Sequence, residues 1–231
     1  MKNTQSHAYV LSKYFNFSGK VVIDVGCGTG DFSRWMTTQG ASVIGIDRPE
    51  MIDKAGKIER VGNEKYIIGT GQALPFENNY TDLIVYLASF HHIPEDEMLQ
   101  AFEQCHKILK SGGTAIFVEP VAQKGSYYEV VRLDVDEAEI QAKVYRMLQD
   151  ANRYGFTMKT EETYFLERSF ADFKKLIEVF VDDEVRKADI ISKARIVTEQ
   201  LSRENNVDFE SFRYKSICRM NILEKVVSGS I

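Results

Sequence analysis

The sequence predicts an α/β fold: a doubly wound, mostly parallel sheet of seven strands, with helices on both faces and helical insertions able to act as a lid. Three observations carry this. Short apolar runs alternate with helix-like stretches from Lys20 to Pro120, the pattern of consecutive βαβ units. Three glycines at every second position, Gly26, Gly28 and Gly30, follow the first run directly. Two further β-like runs, separated by helical stretches, lie in the second half of the chain.

Taken in order, Val21–Val25 is apolar apart from Asp24, as in a strand buried on both faces. Phe32–Gln39 makes a helix ending near Gly40. Ser42–Ile46 is a second strand closed by Asp47, Pro49–Lys57 a short helix and Tyr66–Ile68 a third strand. Pro75–Tyr80 has turn chemistry, and Asp82–Leu87 is the fourth strand. Met98, Phe102, Cys105 and Leu109 recur at helical spacing and predict a helix over Pro94–Lys110, stopped by Gly112-Gly113. Thr114–Val118 is the fifth strand. Ligands of such sheets bind outside the carboxyl ends of the strands. The informative residues are therefore Gly26-Cys27-Gly28, Asp47-Arg48, Gly69-Thr70-Gly71-Gln72, Ala88–His92 and Glu119-Pro120.

Beyond Pro120 the pattern changes. Tyr127–Tyr154 reads as one long helix with two apolar stripes, one through Val131, Val135, Ala138, Ala142, Tyr145 and Leu148, the other through Leu133, Ile140, Val144, Met147 and Ala151. Two stripes imply burial on two sides, as in a lid or a partner interface; a core helix is the plain alternative. Glu162–Phe170 reads as a strand, Asp172–Phe180 and Glu184–Glu204 as helices, and Phe212–Glu224 as the last strand. With no repeat and no low-complexity linker, 1–231 reads as one domain. It comprises an N-terminal helical cap (1–19), a core (20–120), helical insertions (121–157 and 183–206), and C-terminal strands and helix (158–182 and 207–231).

With 231 residues, 44% hydrophobic and 27% charged, the chain can bury one sizeable core. Its net charge of −5 argues against wrapping nucleic acid or docking on an anionic membrane. Three cysteines, Cys27, Cys105 and Cys218, widely spaced and without a CxxC, fit a reducing compartment with neither disulfides nor structural zinc. The first residues lack the apolar run of a secretory signal, and no stretch reaches the ~18 apolar residues of a membrane helix. A cytoplasmic protein is expected.

Two readings of the glycine loop compete. A dinucleotide fingerprint, G-x-G-x-x-G, would put its third glycine where Asp31 stands. A pyrophosphate at that helix N-terminus would meet Asp31, with Asp24 nearby. A ligand cationic at the same place would not be repelled.

The motif DVGCGTG, Asp24–Gly30, resembles the first motif of the class I S-adenosylmethionine-dependent methyltransferases, an acid followed by x-G-x-G-x-G. IGIDRPEMIDKA resembles that family's second-strand end. GQALPFENNYTDLIVYLASFHHIPE resembles the loop and fourth strand of its small-molecule and quinone-biosynthesis branch, and LKSGGTAIFVEP its fifth strand. The resemblance covers Lys20–Pro120 and implies a Rossmann-like fold, S-adenosylmethionine as cofactor, and methyl transfer to a small organic acceptor at O, N or C. It further implies that Gly26, Cys27, Gly28 and Gly30 bring backbone close to the cofactor. Asp24 would place the methionine ammonium, Asp47 bind the ribose diol, and Leu87 and Ala88 line the sulfonium side. An acid often stands at Thr70 in this family; Thr70 or Gln72, beside Gly71, could supply the acceptor for the adenine amine instead. Arg48, next to Asp47, reads as a solvated loop cation at the same site.

His91 and His92 follow the fourth strand, where a neutral imidazole could take a proton from the acceptor. Substrate hydrogen bonding or helix capping are the other roles open to them. Glu119, after the fifth strand, could meet substrate, but packing or a hydrogen bond within the loop is the favoured reading. His7 is given no role, His106 is read as solvated, and Tyr9 and Tyr14 either close over the cofactor or pack in the core. No metal site is expected, since no acid stands at a completing helical spacing. The expected partner is a small-molecule acceptor, with no nucleic acid and no membrane; the two-striped helix is compatible with a homodimer. Two other functions compete: a non-catalytic cofactor-binding scaffold, and an NADP-linked oxidoreductase.

Overall fold

The structure, a computed structural model, describes residues 6–181, 183–204 and 212–226; the expected segments 1–19, 158–182, 183–206 and 207–231 lie partly outside these. The helices are α1 (His7–Ser12), α2 (Asp31–Thr38), α3 (Pro49–Gly56), α4 (Met98–Ile108), α5 (Ser126–Val131), α6 (Ala138–Gln149), α7 (Phe173–Ile177) and α8 (Glu184–Arg203). The strands are β1 (Val21–Val25), β2 (Ser42–Asp47), β3 (Lys65–Ile68), β4 (Thr81–Leu87), β5 (Leu109–Pro120), β6 (Phe156–Ser169) and β7 (Arg213–Lys225). They form a seven-stranded sheet in the order β3-β2-β1-β4-β5-β7-β6, and the pairs β1–β2, β2–β3, β1–β4 and β4–β5 are parallel. Among the described residues no helix is long and apolar enough to cross a membrane.

The chain divides into two compact units. One holds Ala8–Glu119, Lys143–Glu162 and, as far as described, Arg219–Ile231. Its centre is β1, flanked by β2 and β4, and Val22, Ile23 and Val25 are buried as expected for a strand covered on both faces. An aromatic cluster supports β4 and β5: Tyr86 stacks on Phe117 at 5.0 Å, and Phe90 meets both edge-on. The hydroxyl of Tyr86 lies inside this cluster with no hydrogen-bond partner among the described residues.

The sequence places α4 too widely. Pro94–Glu97 is a turn closed by Glu97 N to Pro94 O (2.9 Å), and α4 begins at Met98. At the other end Leu109 pairs with Thr81, so strand pairing takes the residue that helical spacing assigned to the helix. The register shifts between Thr81 and Leu83, which leaves Gly112 at φ +70° inside β5 instead of at a helix end.

The other unit holds Met1–His7 (as far as described), Pro120–Ala142 and the described part of Thr163–Cys218. Val130, Phe173, Leu176, Ile177, Ile190, Ala194 and Tyr214 form its core. Asp172 and Asp183 cap α7 and α8 by accepting from Lys175 N and Arg186 N, each at 2.8 Å. Ile190, Ala194 and Thr198 are the buried residues of α8, a stripe of period four that leaves Val185 82% exposed. The expected long helix over Tyr127–Tyr154 is broken. α5 stops at Val131, and Asp136 Oδ1 accepts from Ala138 N (3.0 Å) and from the Tyr128 hydroxyl (2.7 Å), a local competitor to helix continuation. Val135, placed on an apolar stripe by the sequence, is exposed at this break. His7 Nδ1 bonds the Tyr164 hydroxyl at 2.6 Å, and burial, aided by Arg168, pulls its pKa down to about 4.

Candidate functional site

The strand order reverses between β1 and β4, and ligands of open α/β sheets bind at such a switch point. A cleft opens there, lined by Val25 and Gly26 after β1, Ile46, Asp47 and Arg48 after β2, Gly69–Gln72 after β3, and Ser89 and His92–Pro94 after β4.

The glycine loop leaves β1 in left-handed backbone: φ is +74° at Gly26, +56° at Gly28 and +82° at Gly30. At Gly26 a side chain is also excluded sterically, since a Cβ would lie 2.3 Å from that of Ser89. The Ser89 hydroxyl in turn donates to Val25 O at 2.6 Å and ties the ends of β1 and β4 together. Cys27 is not a lining residue of the cleft. Its thiol is directed toward Gly45, and burial raises its pKa well above the ordinary range.

Two acids meet this loop differently. Asp47 Oδ2 accepts from Gly28 N (2.7 Å) and Oδ1 from Arg48 N (2.8 Å), so one carboxylate fixes the loop and the start of α3 while remaining at the cleft. Asp24 is 1% exposed; its Oδ2 accepts from Ser33 Oγ at 2.5 Å, but its Oδ1 has no partner among the described residues. Burial and the nearby Asp47 charge outweigh the Ser33 bond and push its carboxyl up to about 6. A buried carboxylate oxygen without a donor is costly unless a cationic or donor group reaches it. The methionine ammonium that the resemblance implies is such a group, so the residues present fit that cofactor.

Asp31 opposes a pyrophosphate less than its charge alone implies. Asp31 Oδ1 pairs with Arg34 Nη2 at 2.5 Å, and Thr29 Oγ1 donates to the other oxygen at 2.9 Å. Its charge is largely compensated, so repulsion of a pyrophosphate does not by itself decide between the two ligand classes. Arg48 is exposed at the cleft, as a loop cation should be.

On the far wall, Thr70, Gly71 and Gln72 lie together at the cleft, with Thr70 bridged to Ala73. Gln72 Nε2 donates to Glu97 Oε2 at 2.5 Å. Leu87 ends β4, and Ala88 adopts φ +51°, a strained conformation for alanine, held by Ala88 N donating to Val118 O at 2.7 Å.

The structure separates the histidine pair. Both belong to one 3₁₀ turn, Phe90–His92, and their rings lie 4.1 Å apart. His91 is buried, and its Nδ1 bonds Glu119 Oε2, whose other oxygen accepts from Phe90 N at 3.0 Å. His92 is exposed and lines the cleft. Glu119 thus anchors the turn from β5, the loop-bonding role the sequence favoured. His106 is not solvated: it is half-buried, edge-on to Phe156 at 5.1 Å. Tyr9 and Tyr14 are 50% and 45% exposed, which excludes core packing. Ser33 and Glu97 carry no signal in the sequence, whereas Ser89 lies within the informative stretch Ala88–His92 without a role of its own there.

With this geometry in view, comparison with known proteins is specific. Residues 23–117 match the family described as Methyltransferase domain. A ubiquinone biosynthesis O-methyltransferase of Aliivibrio fischeri (strain ATCC 700601 / ES114) is 33% identical over 113 residues, 47% of each chain. One from Nitrosomonas europaea is 36% identical over 104 residues, 43% of each. The chain spans about half the length of the curated relatives it matches. Among solved structures, the YcgJ protein of Bacillus subtilis superposes with a TM-score of 0.66 at 17% identity, covering 94% of this chain and 96% of its own. A protein of Bacillus halodurans C-125 reaches 0.67 at 16% identity, covering 96% and 100%. At these identities the structures show a shared fold.

Proposed function

We propose that this chain, whose residues 23–117 match the methyltransferase domain family, is a class I S-adenosylmethionine-dependent methyltransferase and methylates a small organic acceptor. The observation that carries the reading is the cleft at the switch point, which gathers Gly26, Asp47 and His92 around one opening. When bound, the cofactor supplies a methyl carbon activated by its sulfonium. The chain's own residues hold, align and deprotonate. Asp24 Oδ1 would accept from the cofactor's ammonium, with Ser33 fixing the other oxygen. Asp47 is held by two backbone N–H groups and keeps lone pairs for the ribose hydroxyls. Gly26, Gly28 and Gly30 would let the loop approach the ligand, and Thr70, Gly71 and Gln72, which line the cleft, would meet its base.

His92, which lines the cleft, would remove a proton from the acceptor, and His91 with Glu119 would keep its turn in position. The names of the curated relatives favour a hydroxyl oxygen as the methylated atom, a nucleophile that gains from a nearby base. Calorimetric titration with S-adenosylhomocysteine, with NADP as control, tests the reading. Binding of the first alone is expected; binding of NADP alone would overturn it in favour of the oxidoreductase, and binding of neither in favour of a scaffold.

A further inference from the structure

The geometry points to Glu97 as a positioning residue that fixes which end of the Gln72 carboxamide faces the cleft, and through it selects a nucleobase bearing an exocyclic amine. The inference rests on the methyltransferase reading, and deepens it at the base-binding wall.

A glutamine side chain is ambiguous by itself. One end of its amide donates two hydrogens and the other only accepts, and the two ends have the same shape. What decides the orientation is the partner. Glu97 offers Oε2 at 2.5 Å from the Gln72 amide. A carboxylate only accepts, so the NH₂ end must turn to Glu97. The carbonyl Oε1 is then the end left for a ligand, and among the described residues it takes no hydrogen bond. Both residues are held. The Gln100 amide donates to Gln72 O at 3.1 Å. Glu97 N donates to Pro94 O at 2.9 Å and Glu97 O accepts from Ala101 N at 3.0 Å, which fixes it at the first turn of α4. Gln72 and Pro94 both line the cleft.

The consequence is a neutral acceptor, oriented by an acid that is itself not a lining residue of the cleft. An adenine-type base offers an N–H to it. A hypoxanthine-type base offers a carbonyl oxygen, which would face Oε1 with no hydrogen between them. Loss of one such bond, with the polar group left unpaired, corresponds to about tenfold in affinity.

The test is calorimetric titration with S-adenosylhomocysteine and S-inosylhomocysteine, which differ in that group. The unsubstituted protein should prefer the adenosine ligand by about tenfold. Glu97→Lys places a donor where the acceptor was, so the amide should turn round and the preference should vanish or reverse. Glu97→Gln, which allows both orientations with little change in shape, should bring the ratio toward one while thermal unfolding stays unchanged. Gln72→Leu should abolish discrimination. An unaltered ratio in Glu97→Lys or in Gln72→Leu, with S-adenosylhomocysteine still bound, would overturn this inference alone. Neither ligand binding the unsubstituted protein would overturn the methyltransferase reading and this inference with it.

Discussion

Asp24 stands in the central strand with one carboxylate oxygen bonded and the other bare, and Asp24→Asn isolates what its charge costs. In the folded chain its carboxyl is pushed up to about 6, first by burial and then by the charge of Asp47, against the Ser33 bond. In the unfolded chain it titrates near ~3.9. Two pKa units at ~1.36 kcal/mol each come to about 3 kcal/mol. The folded state binds this proton more tightly. The site therefore supports folding most below about pH 4, and that support is lost as pH rises to about 6 and stays lost above. Asparagine has no proton to release, and the fixed cost of its amide is the same at every pH. Urea unfolding of both proteins at about pH 4 and about pH 8 should show the variant gaining on the parent by up to about 3 kcal/mol between the two. An equal difference at both pH values would refute the claim that the buried charge is uncompensated. A difference of opposite sign would mean that a cationic partner reaches Asp24 in the folded protein.

Asp47→Ala should weaken S-adenosylhomocysteine binding by roughly 1–3 kcal/mol in the same calorimetric titration, and unchanged affinity would remove Asp47 from the ribose. His92→Ala should lower turnover about 10²- to 10⁴-fold toward a hydroxylated acceptor with little change in cofactor affinity. Glu119→Gln, which weakens the anchor of the turn, should lower turnover less but also reduce the unfolding midpoint; equal losses in the two variants would deny His92 a separate role. Tyr86→Phe deletes a buried hydroxyl that has no partner while keeping the stack on Phe117, so its stability by urea unfolding should be equal or higher by about 1 kcal/mol. A loss above about 2 kcal/mol would show that the hydroxyl is bonded in solution.

Elements whose signal is local were legible in the sequence. β1, β2 and β4 are covered on both faces and read as plain apolar runs, and the glycine loop declares itself by density alone. Residues that act through distant partners were not. Nothing near Glu97 says that it meets Gln72, 25 positions away, or near Glu119 that it meets His91, 28 positions away. The histidine pair was found, but adjacent residues in a tight turn point to different surroundings, and spacing cannot say which is buried. Two element boundaries failed for one reason: a local pattern was overruled by a specific bond. Leu109 keeps helical spacing yet pairs with Thr81, and Asp136 ends a helical stretch by binding Ala138 N and Tyr128. The charge of Asp31 was read correctly, and its neutralisation by Arg34 could not be.

The placement of β1 between β2 and β4 also has a consequence in time. Val21 N donates to Asp82 across 61 positions, and the Thr81 hydroxyl donates to Val21 O across 60. Until β4 is synthesised, an apolar strand has a bare edge. At ~5–20 residues per second that interval lasts roughly 3–12 s on the ribosome. An exposed edge of this kind is a template for pairing with other chains. Closure of that edge then depends on the bonds from Thr81 and Asp82 to Val21, so substitutions at either residue should reduce soluble yield in cells.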